Sequence, residues 1–431
     1  MKPKVLDARG LAAEWLDQVL TKRRSLDEVV EASPNDATMS ARDRAFTVLL
    51  CLTVLRRLGQ IDDAIGRCLD RPLPGRARGA HLALRLGAAQ LLFLETPAHA
   101  AVDTSVNLAV ARGAGAYRKL VNAVLRRLGR EGATWRDEQD AARLNTPDWL
   151  WQSWSAAYGE AAARAIAETH LEEPPLDLTT KADAAALVDR LEATVLATGS
   201  LRRTAGGRVD ELPGFDTGDW WVQDAAAALP ARLLNVGPGD IVIDLCAAPG
   251  GKTAQLAAAG ARVTAVDRSP VRLARLRQNL DRLALNTETV EADAATWRPP
   301  EPASFILLDA PCTATGTIRR HPDIAYLKTP EDVARSTAAQ DRLLANAAAM
   351  LAPGGTLVYA VCSLQPEEGA ARIDAFIEDN PAFVRVPIQA SDIGGFEDTI
   401  TPTGDLRTLP SHLSALGGWD GFYAARVQRR G

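Results

Sequence analysis

The sequence predicts a multidomain protein: an all-α domain over residues 1–135, a small mixed α/β module over 140–215, and a doubly wound α/β domain over 216–431. Three observations lead there. Before residue 135 apolar residues recur at helical spacing, and no alternating strand pattern interrupts them. From 148 to 215 helical stretches are mixed with short extended runs. Beyond residue 220 β-rich runs and helical stretches alternate regularly, which implies a mostly parallel sheet with helices on both faces.

In the first part, residues 8–23 place Leu11, Trp15, Leu16, Val19 and Leu20 on one side of a helix. Ser25 and Glu28 read as a capping box for a short second helix. Ser40 or an adjacent residue opens a longer helix that Gly59 ends. Three further helical stretches follow, over 76–95, 99–113 and 117–131, and the polar, charged residues 131–147 read as a linker. In the middle part, helices over 149–170 and 183–193 accompany extended runs over 176–181 and 194–201. The last part offers five strands, over 240–247, 262–269, 287–294, 304–311 and 355–363. Helices fall at 250–260, 269–285, 330–351 and 366–380, and 421–428 reads as a closing antiparallel strand.

Composition narrows the class. No apolar run reaches the ~20 residues that a membrane helix needs, and residues 1–15 carry no export signal. Five cysteines, an odd number without paired spacing, argue for free thiols in a reducing compartment. The five histidines form no ligand cluster, so neither a metal site nor a disulfide scaffold is expected, and the cytoplasm is the expected location. The net charge of -5 hides an asymmetry: residues 71–130 hold ten Arg or Lys against Glu95 and Asp103. That local +8 suits binding to a polyanion, with Arg118, Lys119, Arg126 and Arg127 as candidate contacts.

The segment DLCAAPGGKT is neither G-x-G-x-x-G nor the phosphate loop G-x-x-x-x-G-K-[ST]. It is still a small-residue turn after a strand, through which backbone can approach a ligand closely. Asp267 ends the next strand and is placed to take ribose hydroxyls, Asp293 follows the third, and Asp309 closes the fourth. A cofactor with ribose and adenine but no phosphate fits this set, which favours S-adenosylmethionine. Cys312 and Cys362 each follow an apolar strand, so both thiols emerge at the sheet edge where such folds bind ligands. Cys51 and Cys68 fall inside apolar helical runs and read as core.

DLCAAPGGKT, DAPCTATGTIRRHPDI and VYAVCSLQPEEG resemble the signature segments of the RsmB/Sun family of RNA 5-methylcytosine methyltransferases, and the N-terminal region resembles a NusB-like RNA-binding domain. The resemblance covers nearly the whole chain. It implies a NusB-like domain, a linking module and a Rossmann-like methyltransferase domain. It also implies a cytosine-5 methyltransferase using S-adenosylmethionine on ribosomal RNA, most naturally of the small subunit, acting as a monomer. Transfer RNA as substrate, or a non-catalytic RNA-binding factor, are the alternatives.

By the same resemblance Cys246, Ala247, Ala248, Pro249, Gly250, Gly251, Lys252, Asp267, Asp293 and Asp309 would hold the cofactor. Cys362 would be the nucleophile and Cys312 would assist product release, and the chemistry of the addition suggests that Asp309, or its protonated form, holds ring nitrogen 3 and the amino group of the attacked base. DNA cytosine methyltransferases attack with a Pro-Cys after the fourth strand, and that analogy would make Cys312 the nucleophile instead. Val361 and Thr313 depart from the family pattern, which often has Thr and Ser there. Arg319 and Arg320, beside the Cys312 loop, are expected to hold RNA phosphates, and Trp220 and Trp221 are candidates for stacking on bases.

Overall fold

The computed structural model describes residues 7–33, 39–181, 183–204 and 207–431. They fall into two units, one of Met1–Glu172 with Ile318–Thr329, the other of Glu173–Thr317 with Pro330–Gly431.

The first unit is helical: α1 (Ala8–Lys22), α2 (Leu26–Glu31), α3 (Ala41–Arg56), α4 (Leu58–Gly66), α5 (Arg78–Leu92), α6 (Ala98–Ala111), α7 (Arg118–Glu138), α8 (Ala141–Leu144), α9 (Asp148–Tyr158) and α10 (Glu160–Thr169). Capping side chains start the early helices. Asp7 accepts from the Gly10 amide at 2.8 Å, Ser25 from Glu28 at 3.2 Å and Ser40 from Asp43 at 3.1 Å. Leu11, Trp15, Leu16 and Val19 are buried as their spacing predicts; Leu20 is only half-buried. They join Leu50, Val54, Leu55, Leu82, Leu86, Val121, Val124, Leu125 and Leu128 in one core.

Three expectations are corrected here. Gly59 lies inside α4 rather than ending α3, because α3 stops at Arg56. It is glycine for space: a Cβ there would collide with the Leu144 carbonyl. The supposed linker over 131–147 is mostly helix, since α7 runs on to Glu138 and buries Gly132 in register with Val121, Val124, Leu125 and Leu128. Its other face is charged, and that hid the continuation. Helices α9 and α10 belong to this unit rather than to the module, with Leu150, Trp154, Ala163 and Ile166 buried.

His170, just after α10, is buried edge-on to Trp154 with ring centroids 5.4 Å apart. Burial, then the charges of Arg319 and Arg56, push its pKa down to about 3. A histidine lowered in the folded state contributes stability that is intact above the unfolded value of 6.5 and is lost as pH falls below it. Unfolding of this unit in urea at pH 5.0 should therefore show a loss of about 2 kcal/mol relative to pH 7.5, absent in His170→Phe. The comparison of the two proteins isolates this residue from other titrating groups.

In the second unit a four-stranded antiparallel sheet, order β2-β3-β1-β4, is built from β1 (Leu176–Thr180), β2 (Thr194–Val195), β3 (Leu201–Arg203) and β4 (Trp220–Val222), with the short α11 (Val188–Leu191). Buried Arg202 grips Asp177 through two 2.7 Å hydrogen bonds and ties β3 to β1. The large sheet holds β5 (Ile241–Leu245), β6 (Arg262–Asp267), β7 (Glu288–Glu291), β8 (Ala303–Asp309), β9 (Leu351–Val361), β10 (Phe383–Arg385), β11 (Leu406–Arg407) and β12 (Tyr423–Arg429). Its order is β10-β12-β9-β8-β5-β6-β7, with β11 on β12.

Strands β9-β8-β5-β6-β7 pair in parallel and β12 closes antiparallel on β9. Helices α12 (Leu229–Arg232), α13 (Gly251–Ala258), α14 (Pro270–Arg282), α16 (Pro330–Met350) and α17 (Ala370–Asp379) complete this unit, whereas α15 (Ile324–Leu327) packs in the first. Strand order reverses between β5 and β8, the switch point where open α/β sheets bind ligands.

Candidate active site

Strand β5 delivers Asp244, fully buried, whose Oδ2 accepts from Thr253 Oγ1 at 2.6 Å. Burial raises its carboxyl to about 7; the Thr253 bond opposes the rise and the charge of Asp309 adds to it. Beyond β5 the chain turns with Cys246 at φ 61° and Gly250 at φ 102°, then enters α13. Both angles lie in the left-handed region, and a Cβ on Gly250 would press 2.9 Å from Leu276, so only glycine closes this turn. Ala247 and Ala248 are buried and small. Asp267, at the end of β6, braces the turn: Oδ2 accepts from the Ala248 amide at 3.2 Å and Oδ1 from Ser269 at 2.9 Å. Asp293 lies two residues past β7, with Oδ1 accepting from the Ala295 amide at 2.9 Å.

Asp309 closes β8 and binds Lys252 Nζ at 2.7 Å. The ammonium also stands 5.0 Å from the centroid of the Phe422 ring. Burial pulls the Lys252 pKa down, but the Asp309 charge and hydrogen bond outweigh it, with Cys362 and Asp244 helping, and the net shift is upward. A protonated lysine thus neutralises the acid at the sheet edge.

The two thiols meet beside this pair. β8 and β9 are adjacent and parallel with Asp309 opposite Ala360, so the loops after them leave the sheet side by side. Cys312 Sγ lies 3.5 Å from Cys362 Sγ. The hydrogen bond to Cys362, then burial, then the nearby Glu368 charge hold the Cys312 thiol well above its ordinary range. Burial lifts Cys246 to about 12, so it serves the turn through its backbone and not as a thiolate. All five cysteines are free.

Other sequence-marked residues divide. Arg118, Lys119 and Arg126 line a groove of about 1050 Å³ between α6 and α7, together with His99 and Arg130. Arg127 does not join them: it pairs with Glu131 at 3.0 Å and lies 5.2 Å over the Trp135 ring. Arg319 is corrected outright. It is fully buried inside the first unit, where Arg56 donates to its carbonyl at 2.9 Å, so it offers no surface to a phosphate. Arg320 is half-buried in the same segment.

Trp220 and Trp221 are both buried in β4, their ring N–H groups satisfied by the Pro213 carbonyl and by Gln223, and neither is free to stack on a base. Val361 points into the core beneath the sheet edge, and Thr313 keeps the hydroxyl a serine would bring. Sequence reasoning passed over Asp244, Phe422 and Glu368, although Asp244 opens the DLCAAPGGKT segment and Glu368 nearly ends VYAVCSLQPEEG.

The groups at this edge suit a ligand with a ribose, an adenine and an amino-acid tail: a tight small-residue turn, accepting carboxylates on successive strands and no phosphate loop. Among the described residues no cluster of three or more His, Cys, Asp or Glu is fit to hold a metal, and no helix is long and apolar enough to cross a membrane.

Residues 231–428 match a family described as 16S rRNA methyltransferase RsmB/F, and residues 6–130 match the NusB family. Ribosomal RNA small subunit methyltransferase B of Erwinia tasmaniensis is 35% identical, covering 99% of this chain and 100% of the relative. Its counterpart in Sodalis glossinidius is 37% identical over 97% of each chain. Among solved structures, a methyltransferase homolog protein from Pyrococcus horikoshii is 27% identical over 64% of this chain and 93% of its own, with TM-score 0.53. NSun6 from Pyrococcus horikoshii, crystallised with SFG, superposes with TM-score 0.55 at 20% identity, covering 66% of this chain and 98% of its own. The NSun6 likeness speaks to fold alone.

Proposed function

The chain belongs to the RsmB/F family of 16S rRNA methyltransferases, and from that premise we propose that it methylates carbon 5 of a cytosine in small-subunit ribosomal RNA through a covalent bond between Cys362 and the base. The observation that carries this reading is the pair of sulfurs 3.5 Å apart at the ends of neighbouring strands, beside the Lys252–Asp309 ion pair. S-adenosylmethionine, the methyl donor of the family, supplies an electrophilic methyl group when bound. The turn from Cys246 to Lys252, with Asp267, Asp293 and Asp309, would hold it.

Carbon 5 of cytosine is a poor nucleophile. Addition of the Cys362 thiolate to carbon 6 pushes the ring's electrons onto carbon 5, splitting one difficult step into easier ones. The Lys252 ammonium, which the nearby Cys362 helps to keep protonated, is the kind of cation that a thiolate nucleophile needs nearby. Asp309, once it takes up the proton that Lys252 holds against it, donates to ring nitrogen 3 and stabilises the negative charge that builds there. Cys312, kept as a neutral thiol, lies in hydrogen-bond contact with Cys362 in the resting enzyme. Once carbon 5 is methylated, the proton left on it passes to a base that Cys312 positions, or to Cys312 itself after its own proton has gone to solvent. The 5,6 double bond then re-forms as the Cys362 sulfur leaves.

The base must be unpaired or flipped to reach such an edge, at a cost of a few kcal/mol. The groove lined by Arg118, Lys119 and Arg126 grips phosphate backbone without reading sequence. In this reading the helical first unit binds RNA and the second unit carries the chemistry.

Incubation with S-adenosylmethionine and transcribed small-subunit RNA, followed by bisulfite sequencing, is expected to show one cytosine becoming resistant to conversion. Methyl groups found only on other atoms, or on no ribosomal RNA but on transfer RNA, overturn the substrate assignment.

A further inference from the structure

Glu368 lies in the turn between β9 and α17, fully buried. Its carboxylate takes four hydrogen bonds, all from neutral donors. Oε1 accepts from the Thr313 amide at 2.9 Å and Gln340 Nε2 at 3.2 Å, and Oε2 accepts from the hydroxyls of Thr313 and Ser363. Thr313 directly follows Cys312, and Ser363 directly follows Cys362. Gln340, reaching from α16, also donates to the carbonyl of Pro311 at 3.0 Å, on the other side of Cys312. Tyr359 Oη donates to the Glu368 carbonyl at 2.6 Å and fixes the turn from below.

One acid therefore holds the residue after each thiol. A buried carboxylate is costly where a neutral side chain of the same volume would pack. The two loops are also tied directly, the Gly316 amide donating to the Cys362 carbonyl at 3.0 Å and the Leu364 amide to Thr315 Oγ1 at 3.0 Å, and the two oxygens of Glu368, accepting in four directions, add the tie that bears on the residue next to each thiol. The segment VYAVCSLQPEEG enters the proposed chemistry only through Cys362, which leaves this acid without a role there.

We propose that Glu368 is a positioning residue that clamps the Cys312 and Cys362 loops together and sets the distance between the two sulfurs. This rests on the reading of those thiols as the reacting pair. Glu368 touches neither base nor cofactor; it acts through Thr313 and Ser363, and a misplacement of about 1 Å in such a site can cost about 10²-fold in rate.

The test compares full-length Glu368→Ala and Glu368→Gln with the parent by two readouts. The first is a ruler that needs no RNA: the rate at which diamide closes a Cys312–Cys362 disulfide, followed by mass spectrometry. Diamide accepts two electrons and two protons and becomes the hydrazine, and the bond closes only when the sulfurs can approach. The second is the split between kcat and KM for methyl transfer.

Glu368→Ala is expected to slow disulfide closure at least about tenfold and to lower kcat about 10²-fold, with both KM values within about twofold. Glu368→Gln should fall between, because rotated hydroxyls can accept from its amide. A variant that binds S-adenosylmethionine like the parent and changes neither readout by more than about twofold overturns the proposal. Should Glu368→Ala fail to fold, Glu368→Gln decides by the same limits. Slower disulfide closure with unchanged kcat would leave the clamp standing and overturn instead the assignment of the thiols to the reaction.

Discussion

Cys362→Ala is expected to lower methyl transfer by about 10⁴- to 10⁶-fold, the scale on which removing a covalent nucleophile acts. Binding of S-adenosylmethionine, measured by calorimetry, should be unchanged, because the turn from Cys246 to Lys252 and its brace Asp267 are made without this sulfur. The expectation follows from the contrast between the two thiols. Cys312 is held as a neutral thiol by its bond to Cys362, by burial and by the Glu368 charge. Cys362 instead lies close enough to the Lys252 ammonium to act on it electrostatically. Near-normal turnover in Cys362→Ala would remove the covalent step altogether.

Cys312→Ala is expected to lower turnover by about 10²- to 10⁴-fold, the usual worth of a positioned acid or base, while leaving the first bond to the base intact. Protein should then accumulate linked to RNA. The sign is a band of reduced mobility on a denaturing gel that appears with Cys312→Ala and not with Cys312→Ala/Cys362→Ala. If Cys312→Ala forms no adduct and Cys362→Ala turns over, the roles are exchanged and the Pro-Cys after β8 is the nucleophile.

Much of the site could be read before the fold was known. The strand-end positions of Asp267, Asp309, Cys312 and Cys362 followed from apolar runs ending in polar or reactive residues, and the parallel ladders put those ends on one edge. Ser40 announced its helix because capping is a local interaction. The misreadings share a cause. Arg319 looked like a surface cation because its charge is visible in sequence, whereas its burial beside His170 depends on packing in a unit assembled mostly from residues before 173. Residues 131–147 looked like a linker because only one side of α7 is buried.

Periodicity, strand ends and the small-residue turn are local, set by neighbours a few positions away, and so the chain by itself determined its helical first part, its parallel sheet and the placing of two cysteines just past strand ends. The sulfur spacing, the Lys252–Asp309 pair and the grip of Glu368 on Thr313 and Gln340 join positions from 28 to 57 residues apart. Such contacts exist only once strand order and register bring distant segments to one edge, and the tertiary structure alone decided them.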